Sequence, residues 1–353
     1  MSQATQGGPD RLKVSISMGE TAITLFGVDT RDYYFNSDVM ADVEARFWER
    51  FQPDGASISI TLRGMAESMG SEMLYRNHCI PSVKTPRVRK PEDVYELRVP
   101  DPLKDGRLPI VLEALVKLKE RLAGRTGVGA GMAGPVSVAI AVCGAENFLR
   151  WTRRHPDAVR HLMEVVTEGN NRYIDELGKR GIVGLSFSDP VASTDLLGHK
   201  QFLEFSLPYF TENVRHGGKV LGKNPGTHIC GHTRGIWEDI MGSGVSAFSV
   251  DNVEDLAEAK EVMGNSVALI GNVPPVNVLN LGKEEDIKRS VAECILKAHD
   301  SPKGYVLGSG CQVPLFTPAE NVEAYIRWGK ELGKLPIDTE RLQRIAEGDG
   351  AAA

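Results

Sequence analysis

His228 and Cys230 stand two positions apart in THICGHTRG, and Cys311 follows much later in LGSGCQVP. An imidazole nitrogen and two thiolate sulfurs are donors that zinc favours, and three of them leave one tetrahedral position open. A closed structural site would take four ligands from short CxxC or HxxxH loops. Three soft ligands from distant segments therefore predict a catalytic Zn2+ with an exchangeable fourth position. Residues i and i+2 of a strand share a face, so His228 and Cys230 can grip one ion. The chain has five cysteines; Cys294 in SVAECILKAH, and with it Cys143 and Cys79, read as small apolar core residues.

The elements that must position these groups alternate in type. Strand-like runs fall at Leu12–Met18, Gly55–Ile60, Gly127–Met132, Ile182–Phe187, Lys219–Leu221 (extending toward Thr227), Ser246–Val250, Val267–Ile270 and Tyr305–Leu307. Helical patterns separate them, among them Asp38–Phe51, Leu108–Leu122, Pro156–Lys179, Lys200–Val214, Thr233–Met241, Val253–Val262, Glu284–His299 and Pro318–Leu332. Eight strands alternating with helices predict an α/β fold, a (β/α)8 TIM barrel in one domain over residues 11–343. Residues 61–107 read as an elaboration of the second strand-to-helix connection, and 1–10 and 344–353 as disordered tails.

Barrel chemistry gathers at the C-terminal ends of the strands. In this register those ends carry Glu20, Asp189, His228, Cys230, Asp251, Asn272 and Cys311. Asp251 reads equally as a ligand or a helix cap. Asn272, in GNVPP, reads as a turn former or a cofactor contact. Asp189 is followed by Pro190, which already fixes its turn, so a catalytic role is expected of it. Glu20 is open to either reading.

Composition removes several classes. At 353 residues, net charge −6 and pI near 5.8, the chain has no basic footprint for nucleic acid. Its mean hydropathy is −0.21, and no apolar run approaches the ~18 residues that span a bilayer. The start, MSQATQGGPD, lacks a signal segment, and sparse cysteines suit a reducing cytoplasm. A homodimer is an expectation with no motif of its own.

Longer stretches carry a resemblance. GTHICGHTRGIWEDIMGSGVSAFSVDN, ALIGNVPPVNVL and GYVLGSGCQVPLFTPAENVEAYI resemble the uroporphyrinogen decarboxylase superfamily, as do GPVSVAIAVCGAENFLR, LSFSDPVASTDLL, FLEFSLPYF and DYYFNSDVMADVEARFWERF. The HxC element with its distal GC is similar to the zinc-dependent corrinoid methyltransferase branch, typified by methylcobamide:coenzyme M methyltransferases. That resemblance implies zinc on His228, Cys230 and Cys311, and an acidic residue completing the shell where this chain has Asp251. It implies methyl transfer between methylcobalamin and a small thiol such as coenzyme M. The corrinoid would come on a separate protein, since no DxHxxG motif is present. The alternative within the superfamily is a donor demethylase (O-demethylase or methylamine type) that passes methyl to cob(I)alamin, with Met18, Phe26, Met65, Met132 or Phe187 lining its pocket.

Charge argues against tetrapyrrole decarboxylation. A polycarboxylate substrate needs cations in its cleft, yet LKVSISMGETAITLFGV, where that family supplies arginines, contains none and offers Glu20. Arg63 and Arg234 are the arginines near strand ends. Their scarcity favours a neutral thiol or a methyl donor over the sulfonate of coenzyme M, with Asp189 accepting hydrogen bonds from a corrinoid amide or a donor hydroxyl.

Overall fold

The computed structural model describes residues 10–348. In chain order its strands are β1 (Lys13–Val14), β2 (Ala56–Ser59), β3 (Glu72–Leu74), β4 (Ser82–Thr85), β5 (Val128–Ala133), β6 (Gly184–Ser188), β7 (Gly226–His228), β8 (Ala247–Ser249), β9 (Ala268–Val273) and β10 (Tyr305–Ser309). Eight of them form one sheet, ordered β1-β10-β9-β8-β7-β6-β5-β2, and every paired neighbour is parallel. Helices cover the outside, so the strands are buried on both faces and rich in apolar residues. Val14, Ile58, Phe187, Phe248, Leu269 and Leu307 are all buried.

One aspartate closes the seam between β1 and β2. The Asp54 N–H donates to Val14 O at 2.8 Å, and the Asp54 carboxylate accepts the Val14 N–H at 2.8 Å. Arg11 holds that carboxylate with both guanidinium arms, at 2.5 and 2.8 Å. The sheet is thereby a (β/α)8 barrel, as its element order predicts.

Three expectations are corrected. The fifth strand is not Lys219–Leu221; those residues form the last turn of helix Leu207–Leu221, which stops at Gly222 with φ +73°. That left-handed end suits glycine, and the strand begins only at Gly226. Cys79 is exposed, not core, whereas Cys143 and Cys294 are buried. Residues 344–347, expected in a tail, belong to helix Thr339–Glu347, which buries Leu342 and Ile345. The remainder of the two expected tails, residues 1–9 and 349–353, lies outside the described residues.

The 61–107 segment holds helix Gly64–Ser68, the antiparallel β3–β4 pair and a 3-10 turn at Pro91–Glu96. Two helices the sequence reading did not single out, Pro135–Cys143 and Ala145–Arg154, stand between β5 and helix Pro156–Lys179. No helix among the described residues is long and apolar enough to cross a membrane.

Candidate metal centre

Strands β7, β8 and β10 deliver four donors to one point at the barrel mouth. His228 ends β7, Cys230 follows two residues on, Asp251 lies just past β8 and Cys311 just past β10. Their ligand atoms all lie within 4.8 Å of one another. His228 Nε2 is 3.1 Å from Cys230 Sγ, and the two sulfurs are 3.3 Å apart. Zinc bonds of ~2.0–2.3 Å place tetrahedral ligands roughly 3.3–3.8 Å from each other. The donor set and its spacing therefore fit zinc with no large movement.

The surroundings fix each donor. Residues His228 and Ser249 are register partners across β7 and β8. His228 Nδ1 is 3.1 Å from the Ser249 carbonyl, so Nδ1–H donates there and Nε2 is left as the ligating nitrogen. Gly310 lets the Cys311 loop lie on the β8 loop, since a Cβ there would sit 2.7 Å from Asn252 N. The hydrogen bond from Cys230, reinforced by His228, pulls the Cys311 thiol well below the ordinary range of a cysteine. Cys230 is pushed up because it hydrogen-bonds that neighbouring thiolate. A dication bound between the two sulfurs would favour the thiolate form of both.

Asp251 belongs to the cluster and is also tied to its neighbours. It is buried; its Oδ2 accepts the Gly231 N–H at 2.9 Å and its Oδ1 the Val253 N–H at 3.0 Å. Asn272 lies behind it. Its Nδ2 donates to Asp251 O at 3.1 Å and Glu254 O at 2.9 Å, so the side chain braces the 251–254 turn. Glu20 is buried and does not reach the metal cluster; it accepts from Tyr34 Oη at 2.6 Å and Gln312 Nε2 at 2.8 Å.

Asp189 corrects the sequence reading most sharply. It does cap a helix, but the one after β5 in place of one in its own loop. Its carboxylate accepts the N–H groups of Val136 at 3.2 Å and Ser137 at 2.7 Å, and the Ser137 hydroxyl at 2.6 Å. Those are the first residues of helix Pro135–Cys143, whose free N–H groups need such an acceptor. With 1% of its surface exposed, its carboxylate is engaged by the start of that helix.

Burial outweighs these hydrogen bonds and lifts the Asp189 carboxyl from its ordinary 3.8 to about 6. A raised carboxyl contributes stability that is fully present below its unfolded pKa and lost as pH rises through its folded one. Between pH 7 and pH 5 the wild type should thus gain about 1 kcal/mol relative to Asp189→Asn. Urea midpoints of both proteins at the two pH values check this; equal pH dependence would contradict it.

Neither strand-end arginine is an evident anion clamp. Arg234 is engaged by Glu258, and Arg63 is half-buried with no ion pair among the described residues. Met18, Met65, Met132 and Phe187 are core residues, and Phe26 packs against that core. Sequence reading missed Ser249, Gln312 and Tyr34. Ser249 could be found only through strand register; Tyr34, on helix Thr30–Phe35, and Gln312, on the loop after β10, meet Glu20 by tertiary packing that no local pattern encodes.

A parallel barrel with a His–Cys–Cys–Asp cluster at the C-terminal ends of its strands defines a class of mouth-sited barrel proteins. Within it, the chain belongs to the uroporphyrinogen decarboxylase (URO-D) family, whose profile matches residues 2–332. It is 30% identical over 299 residues to the methylated-thiol–coenzyme M methyltransferase of Methanosarcina mazei, covering 84% of this chain and 78% of that one. It is 28% identical over 297 residues to a methylcobamide:CoM methyltransferase of Methanosarcina barkeri, covering 82% and 84%. A solved methyltransferase from Methanosarcina mazei superposes with a TM-score of 0.82 at 26% identity, covering 92% of this chain and 94% of that one.

Proposed function

We propose that this chain is a zinc-dependent methyltransferase that moves a methyl group from a corrinoid carried by a separate protein to a small thiol. The observation that carries the reading is the four-donor cluster, with every ligand atom within 4.8 Å of the others at the barrel mouth. The names of the relatives supply the methyl donor and the kind of acceptor.

A thiol is a weak nucleophile until it loses its proton. Zinc held by His228, Cys230 and Cys311 would supply the positive charge that removes it. The residues do the rest. The two thiolates of Cys230 and Cys311 would offset the charge of a bound dication, which would leave an acceptor sulfur electron-rich and nucleophilic. Ser249 holds the imidazole tautomer, and Asp251 stands in the same cluster as His228, Cys230 and Cys311. In the transfer the C–S bond forms as the Co–C bond breaks, the electron pair stays with cobalt, and the thiol proton leaves to solvent. The reaction stays in the cytoplasm, where corrinoid partners and small thiols are available to it.

The charges at the mouth favour an uncharged acceptor. Asp251 and Glu20 are acidic, Arg234 is paired with Glu258 and Arg107 with Glu67 at 2.8 Å, while Arg63 has no ion pair among the described residues. With methylcobalamin as donor, 2-mercaptoethanol should match or exceed coenzyme M in initial rate. A lead of several orders of magnitude for coenzyme M would overturn the neutral-acceptor reading.

A further inference from the structure

The loop that carries Cys311 is stitched to the loop after β1. Val313 N–H donates to Ser17 O at 2.8 Å, and Thr21 Oγ1 donates to Val313 O at 2.6 Å. Beside these ties two side chains meet directly: Gln312 Nε2 donates to Glu20 Oε2 at 2.8 Å. Glu20 is itself held, since Tyr34 Oη donates to its other oxygen at 2.6 Å. Glu20 and Tyr34 are only 6% and 1% exposed, so neither group exchanges freely with water. The Gln312 amide also fills a place that only glycine leaves open. At Gly19 φ is +48°, and a Cβ would lie 2.5 Å from the Gln312 amide carbon. Gln312 directly follows Cys311 in the chain, so a fixed Gln312 side chain fixes the backbone that carries the Cys311 sulfur.

We infer that Gln312 is a positioning residue for the metal centre: the buried Glu20–Tyr34 pair fixes its side chain, and through it the sulfur of Cys311. The inference rests on the metal-site reading above. A carboxylate that seemed suited to act on substrate thereby becomes the anchor of a ligand loop. The arrangement is the thiolate counterpart of the outer hydrogen bonds that orient metal-bound histidines and carboxylates, whose loss weakens metal binding by roughly 10–100-fold.

The test uses the full chain loaded with Co2+, whose sulfur-to-metal absorption band reports thiolate ligation, and Zn2+ affinity by chelator competition. Gln312→Met keeps the length of the side chain and removes its donor; Gln312→Glu sets a carboxylate against Glu20. Each should lower Zn2+ affinity by about 10–100-fold and shift the cobalt band. Exchanging the pair, Glu20→Gln with Gln312→Glu, restores one donor to one acceptor and should return affinity to within about threefold of wild type. Single variants that keep wild-type affinity and spectrum, or an exchange no better than Gln312→Glu alone, would overturn the inference and leave the metal site standing. A wild type that takes up no metal would overturn both. Unfolding midpoints of each variant separate loss of the fold from loss of the site.

Discussion

Cys311→Ala is expected to leave the chain nearly free of metal after purification, where the wild type should hold about one zinc per chain on the ligand set found among the described residues. Structural zinc is bound with about 10–16 kcal/mol over four ligands. One ligand's share is then roughly 2.5–4 kcal/mol, or about a hundred- to a thousandfold in affinity. His228→Ala and Cys230→Ala should fall in the same range, because each donor comes from a rigid strand end and no spare cysteine stands nearby. Cys294→Ala should retain full metal, since that thiol is buried in helix Glu284–Ala298 against Asn272, 3.7 Å from its Oδ1. Metal analysis of the four proteins decides the matter. Full occupancy in Cys311→Ala would remove the site.

Asp251 should behave differently. It stands within the cluster but already accepts two backbone N–H groups, so it can yield its place to an acceptor without being left unpaired. Asp251→Asn should retain most of the metal while slowing methyl transfer by about 10–100-fold, the scale of a lost supporting interaction at a metal site. Asp251→Ala should lose somewhat more metal, because the Gly231 N–H next to Cys230 then has no acceptor. Parallel measurements of metal content and rate separate the two effects. Metal loss in Asp251→Asn as complete as in Cys311→Ala would make Asp251 a permanent ligand.

The chain made three members of the cluster legible because zinc restricts donor types so strongly that His228, Cys230 and Cys311 stand out from local sequence alone. The barrel was legible for a related reason, since strands buried on both faces read as short apolar runs between amphipathic helices. What stayed hidden was the partner of each polar group. Asp189 sits before a proline and seems free, yet it caps helix Pro135–Cys143 on the neighbouring unit, a relation created by the parallel pairing of β5 and β6. Glu20 occupies a strand-end position typical of catalysis, and only the path of the loop beyond β10 reveals Gln312 as its partner. The misplaced fifth strand has a local cause. Lys219–Leu221 is apolar enough to extend, but Gly222 ends a helix and the true strand is only three residues long.

The central claim is that this site uses metal to alkylate a thiol, and methylcobalamin absorbance tests it most directly. Three samples are compared in the presence of a thiol: protein as purified, protein stripped by chelator, and stripped protein given one equivalent of Zn2+. The account predicts steady loss of methylcobalamin with matching thioether in the first and third, and only the protein-free rate in the second. Equal rates with and without metal would contradict it. So would a protein that ignores thiols and instead forms methylcobalamin from cob(I)alamin and a methoxylated or methylated donor.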